Sequence, residues 1–179
     1  MGVVATWIAS KIARKLDPIE EAGIGWVFTE GASYRCFPLS GDRLRTRRAD
    51  TSVVLTERLP GGPGVLGEGA HLGFPPDLVV EVISPTDRTY DTDDKLLDYE
   101  TAGVRLTWVV HPVNRTVRVI NRDAGTDRTL REGETLTGGS VLPGFALPVA
   151  EIFPPRVPPA AADPGDAEEV SENTSEGPA

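Results

Sequence analysis

Hydrophobic positions divide this chain into short strands, two helical stretches and a polar end. Thr6 to Leu16 has helical spacing, with Trp7, Ile8, Ile12 and Leu16 on one face and Lys11, Arg14 and Lys15 on the other. Asp17-Pro18 is expected to end that helix. Ile24 to Thr29 reads as a strand, Glu30 to Ser33 as a turn, and Tyr34 to Pro38 as a returning strand. Asp50 to Leu55 is the next strand, and Glu57 to Pro76 is a long loop rich in Gly and Pro. Leu78 to Ile83 is a β-branched apolar run stopped by Ser84-Pro85. Asp91 or Thr92 can cap a helix that ends at Gly103. Arg105 to Val110 and Thr116 to Ile120 follow as strands, so the middle of the chain reads strand, helix, strand: a crossover unit in a mixed sheet. Arg128 to Leu136 has the pattern of a hairpin, Leu142 to Phe145 that of a turn, and Ala150 to Phe153 that of one last turn. The expected core is capped by Trp108 and Phe145.

Apolar periodicity stops after Phe153. The expected organisation is therefore one domain over 1–153 and a disordered acidic tail over 154–179, rich in Pro, Ala and Glu. Six acids and one arginine give that tail −5 of the formal charge of −9. Net acidity argues against general nucleic-acid affinity but leaves room for a local basic patch. The densest basic run is Arg43, Arg45, Arg47 and Arg48, directly ahead of Asp50. No run approaches the roughly 18 apolar residues of a membrane span, and no secretory signal is evident. Cys36 stands alone, which fits a cytoplasmic setting, and two histidines without paired cysteines make a Cys/His zinc site a poor fit.

Glu81 is the position that asks for chemistry: a lone carboxylate in a buried strand is normally paired or bound to a metal. Asp77 shares its face but lies four residues away, roughly 13 Å along a strand, so the two do not easily hold one ion. Pairing the 50–55 strand antiparallel to the 77–83 strand brings Asp50 near Glu81. Two carboxylates on neighbouring strands can hold Mg²⁺ or Mn²⁺. Lys95 and Tyr99 share a face of the next helix and arrive near the same point. Carboxylates, a hard cation and a lysine form a kit for hydrolysing a phosphodiester. Each residue also has a plainer reading. Glu81 could pair with Arg105, Lys95 with Asp91, Asp50 could be a strand-entry residue, Asp77 a loop residue bonded to backbone, and Tyr99 core packing.

The strings Arg48-Ala-Asp50-Thr-Ser-Val-Val, Pro76-Asp77-Leu-Val-Val-Glu81-Val-Ile-Ser-Pro85, Lys95-Leu-Leu-Asp-Tyr99, Ala102 to Val110 and Leu142 to Phe145 resemble the Uma-two family of the PD-(D/E)XK nuclease superfamily. The resemblance covers roughly residues 5–153. It implies an α/β (α+β mixed) restriction-endonuclease-like core with a central mixed β-sheet flanked by helices. It also implies a metal-dependent endonuclease, acting on DNA and leaving a 5′-phosphate, with Asp50 and Glu81 on Mg²⁺ or Mn²⁺. Lys95 looks like a migrated form of the motif lysine, whose usual place here holds Ile83, and Ala49 stands where the superfamily has proline. Nucleic acid is the expected partner, with arginines 43–48 on its backbone, and dimers are common in this fold. The family has more chain before the first helix, so a short N-terminal edge is expected. The alternative is a nuclease-fold module that binds nucleic acid or protein without catalysis. No Walker-type loop is present, which ranks a small-nucleotide phosphohydrolase last.

Overall fold

A computed structural model describes residues 2–39, 43–67, 69–84 and 89–156. The chain opens with helix α1, Val3–Glu21. Strands β1 (Gly25–Thr29), β2 (Tyr34–Pro38), β3 (Leu44–Arg47), β4 (Thr51–Leu55) and β5 (Leu78–Val82) come next. Helix α2 (Thr89–Ala102) then leads to β6 (Leu106–His111), β7 (Thr116–Asn121), β8 (Thr126–Leu130), β9 (Thr135–Gly138) and β10 (Leu142–Pro148). Among the described residues, six strands form one sheet in the order β1-β4-β5-β6-β7-β8, and β2-β3 and β9-β10 form two small ribbons. Only β5 and β6 run parallel within the large sheet; the other neighbours are antiparallel. The mixed sheet flanked by helices is the fold expected from the sequence.

The sheet divides two cores, as the period-2 alternation of β-branched residues requires. One side packs Val53, Leu78, Val80, Leu106, Trp108 and Val119 against Ile8, Ile12, Leu16 and Ile19 of α1 and against Leu136, Leu142 and Leu147 of the last ribbon. The other packs Val54 and Val79 under Tyr34, Phe37, Tyr99 and Val104. β5 is buried at every position, as a strand covered on both faces must be.

Several elements differ from expectation. α1 runs through Pro18 to Glu21, because continuing it buries Ile19 and lets Ile19 and Pro18 carbonyls accept from Ile24 and Ala22. Trp7 leaves the buried face, at 40% exposure; Ala5, Ala9 and Ala13 take its place against the sheet. β2 does not return against β1. It pairs with β3, while β1 lies along β4, so the basic run is one half of a ribbon laid over the sheet. The 128–136 hairpin is also re-partnered, β8 adding to β7 and β9 pairing with β10. α2 begins at Thr89, ahead of the Asp91 or Thr92 cap, and ends before Gly103, whose φ of +86° suits glycine. The Leu142–Phe145 turn is a bulge at the start of β10 that stacks Phe145 on Trp108 at 5.4 Å between ring centroids. No helix among the described residues is long and apolar enough to cross a membrane. The tail expected over 154–179 lies almost wholly outside the described residues.

Candidate active site

β4 and β5 pair in the register Thr51↔Val80, Ser52↔Val79, Val53↔Leu78. Continued one step, that register sets Asp50 opposite Glu81 at one end of the sheet. Asp50 Oδ2 accepts from the Val82 amide at 2.7 Å, so the carboxylate closes the last rung of the pair. Glu81 is buried, with 4% of its surface exposed. α2 follows β5 and lies over this end, and its i,i+4 spacing delivers two donors to one acid. Lys95 Nζ donates to Glu81 Oε2 at 2.8 Å and Tyr99 Oη to Oε1 at 2.6 Å. Tyr99 is itself buried and held edge-on by Phe37, at 5.6 Å between centroids and 73° between planes.

Burial pushes the Glu81 carboxyl above its ordinary range; the Lys95 ammonium opposes that rise and the nearby Asp50 adds to it. Burial and the Glu81 charge likewise push the Tyr99 phenol up, so Tyr99 is a hydrogen-bond donor here. A second cation would relieve the two carboxylates. Asp50 and Glu81 offer hard oxygen donors, and among the described residues no cluster of three or more His, Cys, Asp or Glu side chains is present. That donor set suits Mg²⁺ or Mn²⁺ completed by water and phosphate oxygens, and does not suit zinc.

The other candidates lie elsewhere. Asp77 sits at the far end of β5. Its Oδ2 accepts from the Leu55 amide at 2.9 Å and its Oδ1 from Arg58 at 3.1 Å, so it clamps the loop after β4 to the sheet rather than joining Glu81. Arg105 pairs with Asp123 at 2.7 Å instead of with Glu81. Arg45 and Arg47 turn inward to Asp98 Oδ2, at 2.9 and 2.6 Å, so two of the four arginines are engaged within the protein. Arg43 and Arg48 remain exposed.

Asp98 was not singled out from the sequence, although it stands three residues after Lys95 and therefore on the same side of α2. Thr6, Ser10 and Glu30 were also missed. They line a small cavity with Asp50, where α1 meets the sheet end, and only the packing of α1 reveals them.

A family model described as "Putative restriction endonuclease" (Uma2) matches residues 1–150. The chain belongs to the Uma2 family. The buried acid with its lysine and tyrosine thus sits in a nuclease-like Uma2 domain. A crystal structure of "a putative nuclease belonging to DUF820" from Anabaena variabilis ATCC 29413 superimposes with a TM-score of 0.65 at 18% identity, covering 85% of this chain and 80% of that one. At that identity the likeness speaks for the fold. No curated protein matches the chain.

Proposed function

We propose that this Uma2 protein is a Mg²⁺- or Mn²⁺-dependent endonuclease that hydrolyses phosphodiester bonds, with DNA as its substrate. The observation that carries the reading is Asp50 and Glu81 facing each other across the β4–β5 register, with Lys95 bonded to the acid. A hydrolase needs such a convergence and a stable sheet does not, since a buried carboxylate with a raised pKa costs stability.

Asp50 and Glu81 would hold the cation, which supplies polarisation of the scissile phosphate and acidifies the attacking water. Lys95 then has two tasks: it keeps the Glu81 carboxylate ionised and presents positive charge where the phosphorane oxygens gain negative charge. Tyr99 fixes the rotamer of Glu81, because its hydroxyl occupies one oxygen and leaves the carboxylate a single orientation. Attack in line with the leaving 3′-oxygen leaves a 5′-phosphate.

A second reading, a nuclease-fold module that only binds, is favoured by one observation: both oxygens of Glu81 are already engaged within the protein. Titration calorimetry with Mn²⁺ separates the two. The wild type should bind, Asp50→Ala and Glu81→Gln should not, and Asp77→Asn should bind like the wild type. Circular DNA should then be nicked by the wild type and not by Lys95→Ala. Silence toward Mn²⁺ in the wild type, with and without DNA, would leave the binding module standing.

A further inference from the structure

The first turns of α1 close the end of the sheet that holds Asp50 and Glu81. Thr51 Oγ1 bonds the Ala9 carbonyl at 3.3 Å, and Thr6 and Ser10 line a cavity with Asp50. At 100° per residue, Trp7 lies one step round the helix from Thr6 and Ser10, on the side away from the core. It is 40% exposed, a cost for the largest apolar side chain in a helix that could have buried it. Val3 and Val4 extend the exposed stripe toward the N-terminus. Lys11 holds its ammonium 5.8 Å from the Trp7 ring centroid, and Arg14 lies on the same outward side two turns on from Trp7. Neither cation forms an ion pair with a described residue. Arg45 and Arg47, by contrast, are consumed by Asp98.

We propose that this outward stripe of α1, centred on Trp7 with Lys11 and Arg14 beside it, is a single-strand rim that stacks one unpaired nucleobase of the substrate on the α1 side of the sheet. An aromatic face takes any base, because every base has a π-face, and the cations that follow it along the helix track the adjoining phosphates. The charge of the stripe selects the occupant. Two cations on the same outward side as an indole fit a polyanion carrying planar rings. The proposal rests on the nuclease reading for its substrate class, but not on catalysis: a domain that binds strands without cutting them would use the same rim. Its consequence is a preference for frayed, looped or single-stranded sites over continuous duplex, where no base is free to stack.

Binding of a fluorescent 12-mer oligo(dT) and oligo(U) to the full chain, measured by anisotropy in EDTA, tests this without any cleavage. Wild type should bind both strands more tightly than a duplex of equal length. Trp7→Ala should weaken strand binding about tenfold or more, Trp7→Phe should keep most of it, and a strand of abasic sites should be indifferent to Trp7→Ala. Lys11→Gln should lower the slope of log affinity against log salt by about one. Melting curves matched to wild type would show that the variants are folded, as the exposure of Trp7 leads us to expect. Undiminished binding by Trp7→Ala would overturn the proposal, as would equal loss on the abasic strand or the absence of strand binding by the wild type. So would a wild-type dimer in sedimentation that Trp7→Ala dissociates. Cleavage or Mn²⁺ affinity that fails while the Trp7-dependent strand binding persists would remove the nuclease reading alone.

Discussion

Glu81 is the residue on which burial and the Lys95 charge pull in opposite directions. Its folded carboxyl is raised above the usual value of 4.5, chiefly by burial. A raised pKa means that the folded state binds this proton more tightly than the unfolded chain does. The site's contribution to stability is then full below about 4.5 and is lost as pH rises through the raised value. At neutral pH without metal, the buried acid therefore costs stability that Glu81→Gln should recover. Melting temperatures of the two proteins in EDTA should converge near pH 4 and separate above it, with the variant higher by roughly 2–4 °C for each kcal/mol recovered. Mn²⁺ should reverse the order by raising only the wild type, since a ligand that binds only the folded state stabilises it. A variant less stable than wild type throughout would mean that the Lys95 and Tyr99 bonds outweigh the burial. That this residue would need partners was readable from the sequence, because an acid in a five-residue apolar strand is normally paired. Its partners were half readable: Lys95 and Tyr99 follow from helical spacing, but the alternative pairing with Arg105 was equally open until the crossover placed α2 over the strand.

At the scale of elements, what was legible followed local rules and what was not followed long-range pairing. The β5-α2-β6 unit and the antiparallel β4–β5 pair could be read because apolar runs, one glycine and a Ser-Pro stop define them. The choice of β3 rather than β1 as partner for β2 could not, since both have suitable length and a Gly-containing connection. The deciding feature is distant: Asp98 on α2 receives Arg45 and Arg47 and so clasps β3 to the helix that carries Lys95. Asp98 is mostly buried, its side chain 13% exposed, so removing it leaves two arginines facing a polar site without their acid. Asp98→Ala should cost about 2–3 kcal/mol of stability, in the range for one partner of a part-buried charged pair. Calorimetric unfolding measures that loss. Because the clasp holds the base of α2, Mn²⁺ affinity should fall along with it, whereas an equal loss of stability produced at Asp77, on the other end of β5, should leave Mn²⁺ affinity unchanged. Equal metal affinity in Asp98→Ala and wild type would show that α2 is positioned by Tyr99 and Phe37 alone.

At the scale of the whole molecule, a nuclease reading has to coexist with a formal charge of −9. The unevenness of that charge makes the two compatible. Residues 157–179 hold six acids and no base, so a chain ending at Arg156 would carry −3. The candidate contacts to nucleic acid are local, at Arg43, Arg48, Lys11 and Arg14, and each is felt by a polyanion mainly within a Debye length, about 10 Å at 0.1 M salt. At lower salt the screening length grows and the six acids repel the approaching strand. The shortened chain should therefore associate with oligo(dT) several-fold faster than the full chain at about 10 mM salt, where the Debye length is near 30 Å. The two should converge above roughly 0.3 M, because steering is a rate effect that salt removes. Dissociation rates, which depend on stacking and close contacts, should stay alike. Stopped-flow association over a salt series distinguishes this from direct occlusion of the site. A difference that persists at high salt, or that lies in the dissociation rate, would mean that the acidic segment competes for the same cations as the phosphates rather than acting through its field.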